Sequence, residues 1–255
     1  MMDTEKLQYL IRRLLDERPE KSAYRLPDDP AELFRIYRSL VNIRPAGLPD
    51  AAYLETEEAF LREYTAEKGI TALSDLSPAE DGIYLWRGDI TTLACDPIVN
   101  AANSGMTGCW SPCHSCIDNA IHTFAGVQLR YACDQLMRAQ GHEEPTGSAK
   151  LTEAYALPCK YILHTVGPIV DRALNDVHKR LLESCYQSCL RLASENGIRS
   201  IAFCCISTGV FGFPQQEAAE IAVRTVREFR ETHDIKIIFN VFKEDDELIY
   251  RRLLG

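Results

Sequence analysis

The spacing of apolar positions changes once along the chain. Leu7, Leu10, Ile11, Leu14 and Leu15 follow the i, i+3, i+4, i+7, i+8 stripe of an amphipathic helix. A second stripe, Leu33, Tyr37, Leu40 and Val41, follows Asp28-Asp29-Pro30, an N-cap candidate with proline in the first turn. A third helix is predicted over residues 50–68 and stops at Gly69, a natural C-terminal cap. After Asp81 short apolar runs alternate with helical periods, the succession expected of an α/β layer architecture. Strands are predicted near 83–86, 98–101, 154–157, 161–165, 201–206 and 236–241, and helices near 117–139, 174–196, 214–232 and 245–253. The polar segment SDLSPAED, residues 74–81, sets the predicted boundary between a helical extension, residues 1–80, and an α/β unit, residues 81–255.

Composition narrows the class. The 255 residues are 46% hydrophobic and 25% charged, the make-up of a soluble globular protein long enough to bury a sizeable core. A net charge of −9 gives none of the basic field on which non-specific nucleic-acid binding rests. The opening residues, MMDTEKLQYLIRRLL, mix acidic and basic side chains, and no uncharged apolar run reaches the length of a membrane span. A cytoplasmic location is expected. There the ten cysteines read as reduced thiols, some buried as small apolar residues and some available as metal ligands.

Four short stretches carry candidate chemistry. Ser207-Thr208-Gly209-Val210-Phe211-Gly212 lies between a predicted strand and a predicted helix, where exposed N–H groups and a helix start could cradle a diphosphate; alone it is also a glycine-bearing turn. Gly88-Asp89-Ile90-Thr91 places a carboxylate where it could accept from an exocyclic amine such as that of adenine, or cap a turn. Asn100-Ala101-Ala102-Asn103 ends a strand with two amides suited to sugar hydroxyls or to turn formation. The densest is GCWSPCHSC, residues 108–116. A reducing compartment disfavours a disulfide knot there, leaving a metal loop or a loop of unligated side chains. His122 and His164 read as core histidines, His122 being also able to donate toward the site.

Taken in order, GDIT, PIVNAAN, IDNAIHTFAG, LPCKYILHTVGP and IAFCCISTGVFGFP resemble the macrodomain family over residues 82–255. The resemblance implies a three-layer α/β/α fold with a mixed central sheet that binds ADP-ribose. It implies Asp89 and Ile90 at the adenine, Asn103 at the distal ribose, and Ser207, Thr208, Gly209, Val210, Phe211 and Gly212 around the diphosphate. Asp118 aligns with the aspartate that positions or activates water in hydrolytic members, so Asp118 and Asn103 are the implied catalytic residues. Where many members carry a glycine-rich loop, this chain has SGMTGCWSPCHSC. That insertion and the helical extension resemble the zinc-dependent branch, whose C-x4-H-x-C pattern falls on Cys109, His114 and Cys116, and one Zn2+ is the implied cofactor.

Two thiolates and an imidazole suit zinc, and three protein ligands leave the fourth tetrahedral position to water or substrate. Cys113 would close the site as a fourth ligand, although a residue adjacent to His114 tends to point elsewhere. The implied activity is hydrolysis of mono-ADP-ribose from a modified protein side chain, an acidic one by resemblance. Two other readings stay open: an ADP-ribose reader whose zinc only braces the loop, and a hydrolase of small ADP-ribose derivatives. The implied partners are ADP-ribose and mono-ADP-ribosylated protein, with a sirtuin-like ADP-ribosyltransferase and a lipoyl-carrier protein associated with related chains. Neither a membrane nor a nucleic acid is expected as a partner.

Overall fold

The first three helices begin where short acidic side chains can satisfy orphan N–H groups. In the computed structural model, which describes residues 2–18 and 25–255, α1 (Thr4–Asp16) is capped by Asp3, which accepts from Glu5 N and Lys6 N at 3.1 and 3.0 Å. α2 (Pro30–Asn42) starts behind Asp29, which accepts from Glu32 N at 2.8 Å. α3 (Ala51–Lys68) starts behind Asp50, which accepts from Tyr53 N at 3.0 Å, and ends at Gly69. Leu7, Leu10, Ile11, Leu33 and Tyr37 are buried in an apolar cluster that continues without a break into Ile98, Val99, Leu163 and Ile237 of the sheet. Each such side chain contributes roughly 1.5–3 kcal/mol through burial.

The α/β part is built on a seven-stranded mixed sheet. Its strands are β2 (Pro78–Glu80), β3 (Ile83–Arg87), β5 (Pro97–Ala102), β6 (Ala149–Glu153), β7 (Tyr161–Val166), β8 (Ser200–Phe203) and β9 (Lys236–Val241), in the order β2-β3-β9-β8-β5-β7-β6. A separate parallel pair joins β1 (Thr71–Ala72) to β4 (Leu93–Ala94). The five central strands run parallel, and β2 and β6 close the edges antiparallel. Central strands such as Ile162–Val166 of β7 are buried throughout, as a sheet covered on both faces requires. One group of packed helices contains α4 (Ile117–Ala125), α5 (Val127–Gln140) and the N-terminal three; the other contains α6 (Asp176–Glu195), α7 (Gln215–Arg230) and α8 (Glu244–Leu254).

Three predicted elements are corrected. The helix expected over 117–139 breaks at Gly126, whose φ of 89° places it in the left-handed region. The break has a cause outside the segment: buried Glu57 of α3 accepts from Val127 N at 2.9 Å, and a Cβ at position 126 would lie 2.8 Å from its carboxylate. Tyr37 and Tyr53 donate to the other Glu57 oxygen at 2.8 and 3.0 Å. Burial pushes the Glu57 carboxyl above its ordinary range despite these bonds. The strand expected over 154–157 is instead the turn between β6 and β7, with Tyr155 at φ 54° and Leu157 N donating to Ala154 O at 3.1 Å. Its apolar residues are buried by packing, which imitates a strand pattern. The strand predicted over 201–206 leaves the sheet at Phe203.

Candidate active site

β5 lies between β7, which the chain reaches by way of the edge strand β6, and β8, reached later on the other side. Such a reversal opens a crevice at the carboxyl ends of the strands, the usual ligand position in open α/β sheets. The loops after β5 and β8 both leave there. Asp118, in the first turn of α4, is 5% exposed. Its Oδ1 accepts from Asn100 Nδ2 at 2.8 Å and its Oδ2 from Asn103 Nδ2 at 3.1 Å. Burial raises its carboxyl to about 6, against the lowering pull of Asn100, Arg130 and Asn103. Near neutral pH it is a desolvated carboxylate suited to taking a proton from water.

The two amides of the VNAAN stretch have different work. Asn100 points into the core, where its Nδ2 also faces His164 Nδ1 at 3.1 Å. Asn103 stays at the crevice, donating to Gly108 O at 3.1 Å and accepting from Gly105 N at 3.0 Å, and so ties the following loop to Asp118. Burial holds His164 down to about 3, and its Nε2 lies 2.9 Å from Thr152 Oγ1. His164 is thus a neutral, partnered core histidine. His122 is buried with neither ring nitrogen hydrogen-bonded, its Nε2 3.6 Å from Asp118 Oδ1.

Beyond Asn103 the chain forms the Cys/His loop. The ligand atoms of Cys109, His114 and Cys116 lie within 4.8 Å of one another, and all three residues are half-buried. Cys116 also caps α4, its Sγ accepting from Asn119 N at 3.4 Å. Burial pushes its thiol up to about 12, and the neighbouring Cys109 adds to the effect. A cation there would convert these thiols to thiolates, and two sulfurs with one imidazole are a donor set that fits zinc. Cys113 lies outside this group: it has φ 55°, and its thiol donates to Arg35 O at 3.4 Å. A second group, His122, Cys133 and His164, is wholly buried, and its His164 is already engaged by Asn100 and Thr152.

On the far side of the crevice Asp89 caps the 3-10 turn Ile90–Thr92, its Oδ1 accepting from Thr91 N and Oγ1 at 3.0 and 2.6 Å. Its Oδ2 is paired with Lys68 at the end of α3. Burial works to raise the Asp89 carboxyl and is outweighed by Lys68 and Thr91, leaving it below its ordinary range. Ile90 is buried behind it. In the other loop, Gly212 N donates to Gly209 O at 3.1 Å and Phe213 N to Ser207 O at 3.0 Å. The N–H groups of Gly209, Val210 and Phe211 have no protein partner among the described residues, and α7 starts without a side-chain cap. Free N–H groups beside a helix N-terminus form an anion cradle. Thr208 Oγ1 donates to Cys205 O at 3.0 Å, Ser207 Oγ is buried without a partner, and Val210 is 75% exposed on the rim.

Sequence reasoning missed several residues of this region. Phe242, 76% exposed directly after β9, stands beside the Asp89 turn, since Gly88 N donates to Val241 O at 3.0 Å. Its signal was an aromatic placed just past a buried strand and before an acidic helix start. Lys68, Arg38 and Asn42 gave no signal, because their partners lie in distant segments.

Residues 99–222 match the Macro domain family. A chain of Treponema medium named Protein-ADP-ribose hydrolase is 54% identical over 261 residues, taking in 100% of this chain and 100% of its own length. The chain belongs to the macrodomain family. This macrodomain is also 48% identical over 250 residues to a Protein-ADP-ribose hydrolase of Staphylococcus aureus (strain MRSA252), covering 96% of this chain and 94% of that one. Among solved structures, the Trypanosoma brucei macrodomain in complex with ADP-ribose superposes with a TM-score of 0.67 at 30% identity, over 90% of this chain and 97% of that chain. The likeness to all three takes in the helical extension as well as the sheet, since it covers nine-tenths or more of the chain.

Proposed function

We propose that this macrodomain is a zinc-dependent hydrolase that releases ADP-ribose from mono-ADP-ribosylated protein, with an acidic side chain as the acceptor. One observation carries the reading: a buried carboxylate, Asp118, is held by two amides two residues beyond the cluster of Cys109, His114 and Cys116. The full-length likeness to chains named Protein-ADP-ribose hydrolase supports it.

In this reading Asp89 and Ile90 meet the adenine, and the diphosphate lies on the N–H groups of Gly209, Val210 and Phe211 within the loop that runs from Ser207 through Thr208 to Gly212. Those contacts supply binding energy remote from the reacting bond. Asn103 stands beside the distal ribose and holds Asp118 in place. Asp118 takes a proton from the attacking water as its oxygen bonds to the anomeric carbon, and the bond from that carbon to the acceptor breaks, leaving a free carboxylate. Zinc held by Cys109, His114 and Cys116 would supply Lewis-acid stabilisation of negative charge. The reaction is proposed for the cytoplasm, with a sirtuin-like ADP-ribosyltransferase and a lipoyl-carrier protein as partners by family resemblance.

The test uses mono-ADP-ribosylated proteins of defined linkage with native and chelator-stripped protein. Release from acidic-residue linkages by the zinc-loaded protein alone is expected. Undiminished release after stripping would sink the zinc reading, and tight ADP-ribose binding without any release would leave a reader instead of a hydrolase.

A further inference from the structure

We propose that Arg38 and Asn42 of α2 are positioning residues for the metal-ligand loop, so that the helical extension sets how tightly the loop holds zinc. The proposal rests on the reading of Cys109, His114 and Cys116 as a zinc site. Between Asn103 and α4 the chain has neither strand nor helix, so discrete bonds must hold its ligands. At His114 and Cys116 themselves the local bonds are few: His114 N to Ser111 O at 3.2 Å, Cys116 N to His114 Nδ1 at 3.3 Å, and Asn119 N to Cys116 Sγ at 3.4 Å.

The bonds that arrive from α2 are shorter and partly charged. Arg38 Nη2 donates to the carbonyl of His114 at 2.7 Å, and its Nε and Nη2 donate to Asn119 Oδ1 at 3.0 and 2.7 Å. Asn42 Oδ1 accepts from Cys113 N and from Asn119 Nδ2, both at 2.9 Å. Two successive residues of the turn, Cys113 in its left-handed conformation and His114, are therefore fixed from one helix. Asn119, whose N–H reaches the Cys116 sulfur, is fixed by the same two side chains. A planar guanidinium can hold two acceptors at once, which an ammonium cannot copy. Partners that orient metal ligands typically account for about 10–100-fold in metal affinity.

The experiment is zinc titration of the full chain against a chromogenic chelator, with the thiolate charge-transfer absorption of the cobalt-loaded protein as a second readout. Wild type, R38M and R38K are compared, and thermal unfolding of each is recorded with and without metal. R38M is expected to bind zinc about 10–100-fold more weakly, with R38K between it and wild type, a weaker cobalt absorption, and metal-free melting close to wild type. R38K keeps the apolar stem and the charge, so it carries the comparison if R38M does not fold. Equal zinc affinity in all three, with melting lowered alike in metal-free and loaded forms, would overturn the proposal and leave Arg38 a purely structural residue. A wild-type chain that takes up no zinc overturns the zinc reading and this proposal together, whereas unchanged affinity in the variants overturns this proposal alone.

Discussion

Two loops meet at the crevice from neighbouring strands, and they are held in opposite ways. The loop after β5 is fastened by side chains from elsewhere: Arg38 and Asn42 from α2, and Arg130 of α5, whose Nε donates to Thr107 O at 2.8 Å. The loop after β8 is fastened by backbone, with Gly212 closing on Gly209, Phe213 on Ser207, and Val170 N donating to Phe211 O at 2.8 Å. Backbone closure leaves unpaired N–H groups free to face an anion. Side-chain fastening instead sets the placement of soft and titratable donors, and it can be altered by substitutions far away in the chain. Under the proposed function, binding strength and reactivity are lodged in separate loops.

The largest expected effect separates the two. Asp118→Asn keeps the size of the side chain but removes the proton acceptor, and should lower single-turnover release of ADP-ribose by about 10²–10⁴. Calorimetric ADP-ribose affinity should change little, because the anion cradle belongs to the other loop; a large loss of affinity would merge the two roles. Next in size, Gly212→Ala should damage the second loop only. Gly212 has φ 68°, and an added Cβ would lie 2.9 Å from Val170 O. A side chain in that region costs about 1–2 kcal/mol, so ADP-ribose should bind roughly tenfold more weakly while zinc affinity stays unchanged.

The smallest effect concerns the core beneath both loops. His164 has an ordinary value of 6.5 and is held down to about 3 by burial. Below pH 6.5 the unfolded chain takes up a proton that the folded chain refuses, so this residue subtracts stability as pH falls from 6.5 toward 3, by about 1.4 kcal/mol per pH unit. Urea unfolding at pH 7.5 and 5.5 should show the loss in wild type and a shallower one in His164→Gln. Equal slopes would mean that the imidazole is solvated or protonated in the folded state.

How much of this was legible beforehand follows the same division. The three N-terminal helices were legible from local signals: an apolar stripe in α1, a stripe behind Asp28-Asp29-Pro30 in α2, and the Gly69 stop of α3. Asn103 and the Ser207–Gly212 stretch stood out as short local patterns, and Asp118 through the family resemblance of its motif. The break at Gly126 was not, because the residue that imposes it, Glu57, lies in another helix while helical periodicity continues on both sides. Nor was the turn at 154–157, where burial came from tertiary packing and not from strand pairing. Arg38 looked like any other cation on a helix: its acceptors are a carbonyl and an amide some eighty residues away, and a carbonyl leaves no trace in the identity of the residue that carries it.

The carboxylate of Glu57 has a practical meaning for anyone wishing to shorten this protein. α5 has no side-chain cap of its own and borrows one from α3, and the stacked rings of Phe34, Tyr64 and Phe124 bridge the same seam. A cut near residue 70 would strip a helix start of its acceptor and expose an aromatic layer, although nothing in the local chain forbids it. A portable piece that keeps this seam intact therefore includes α2 and α3.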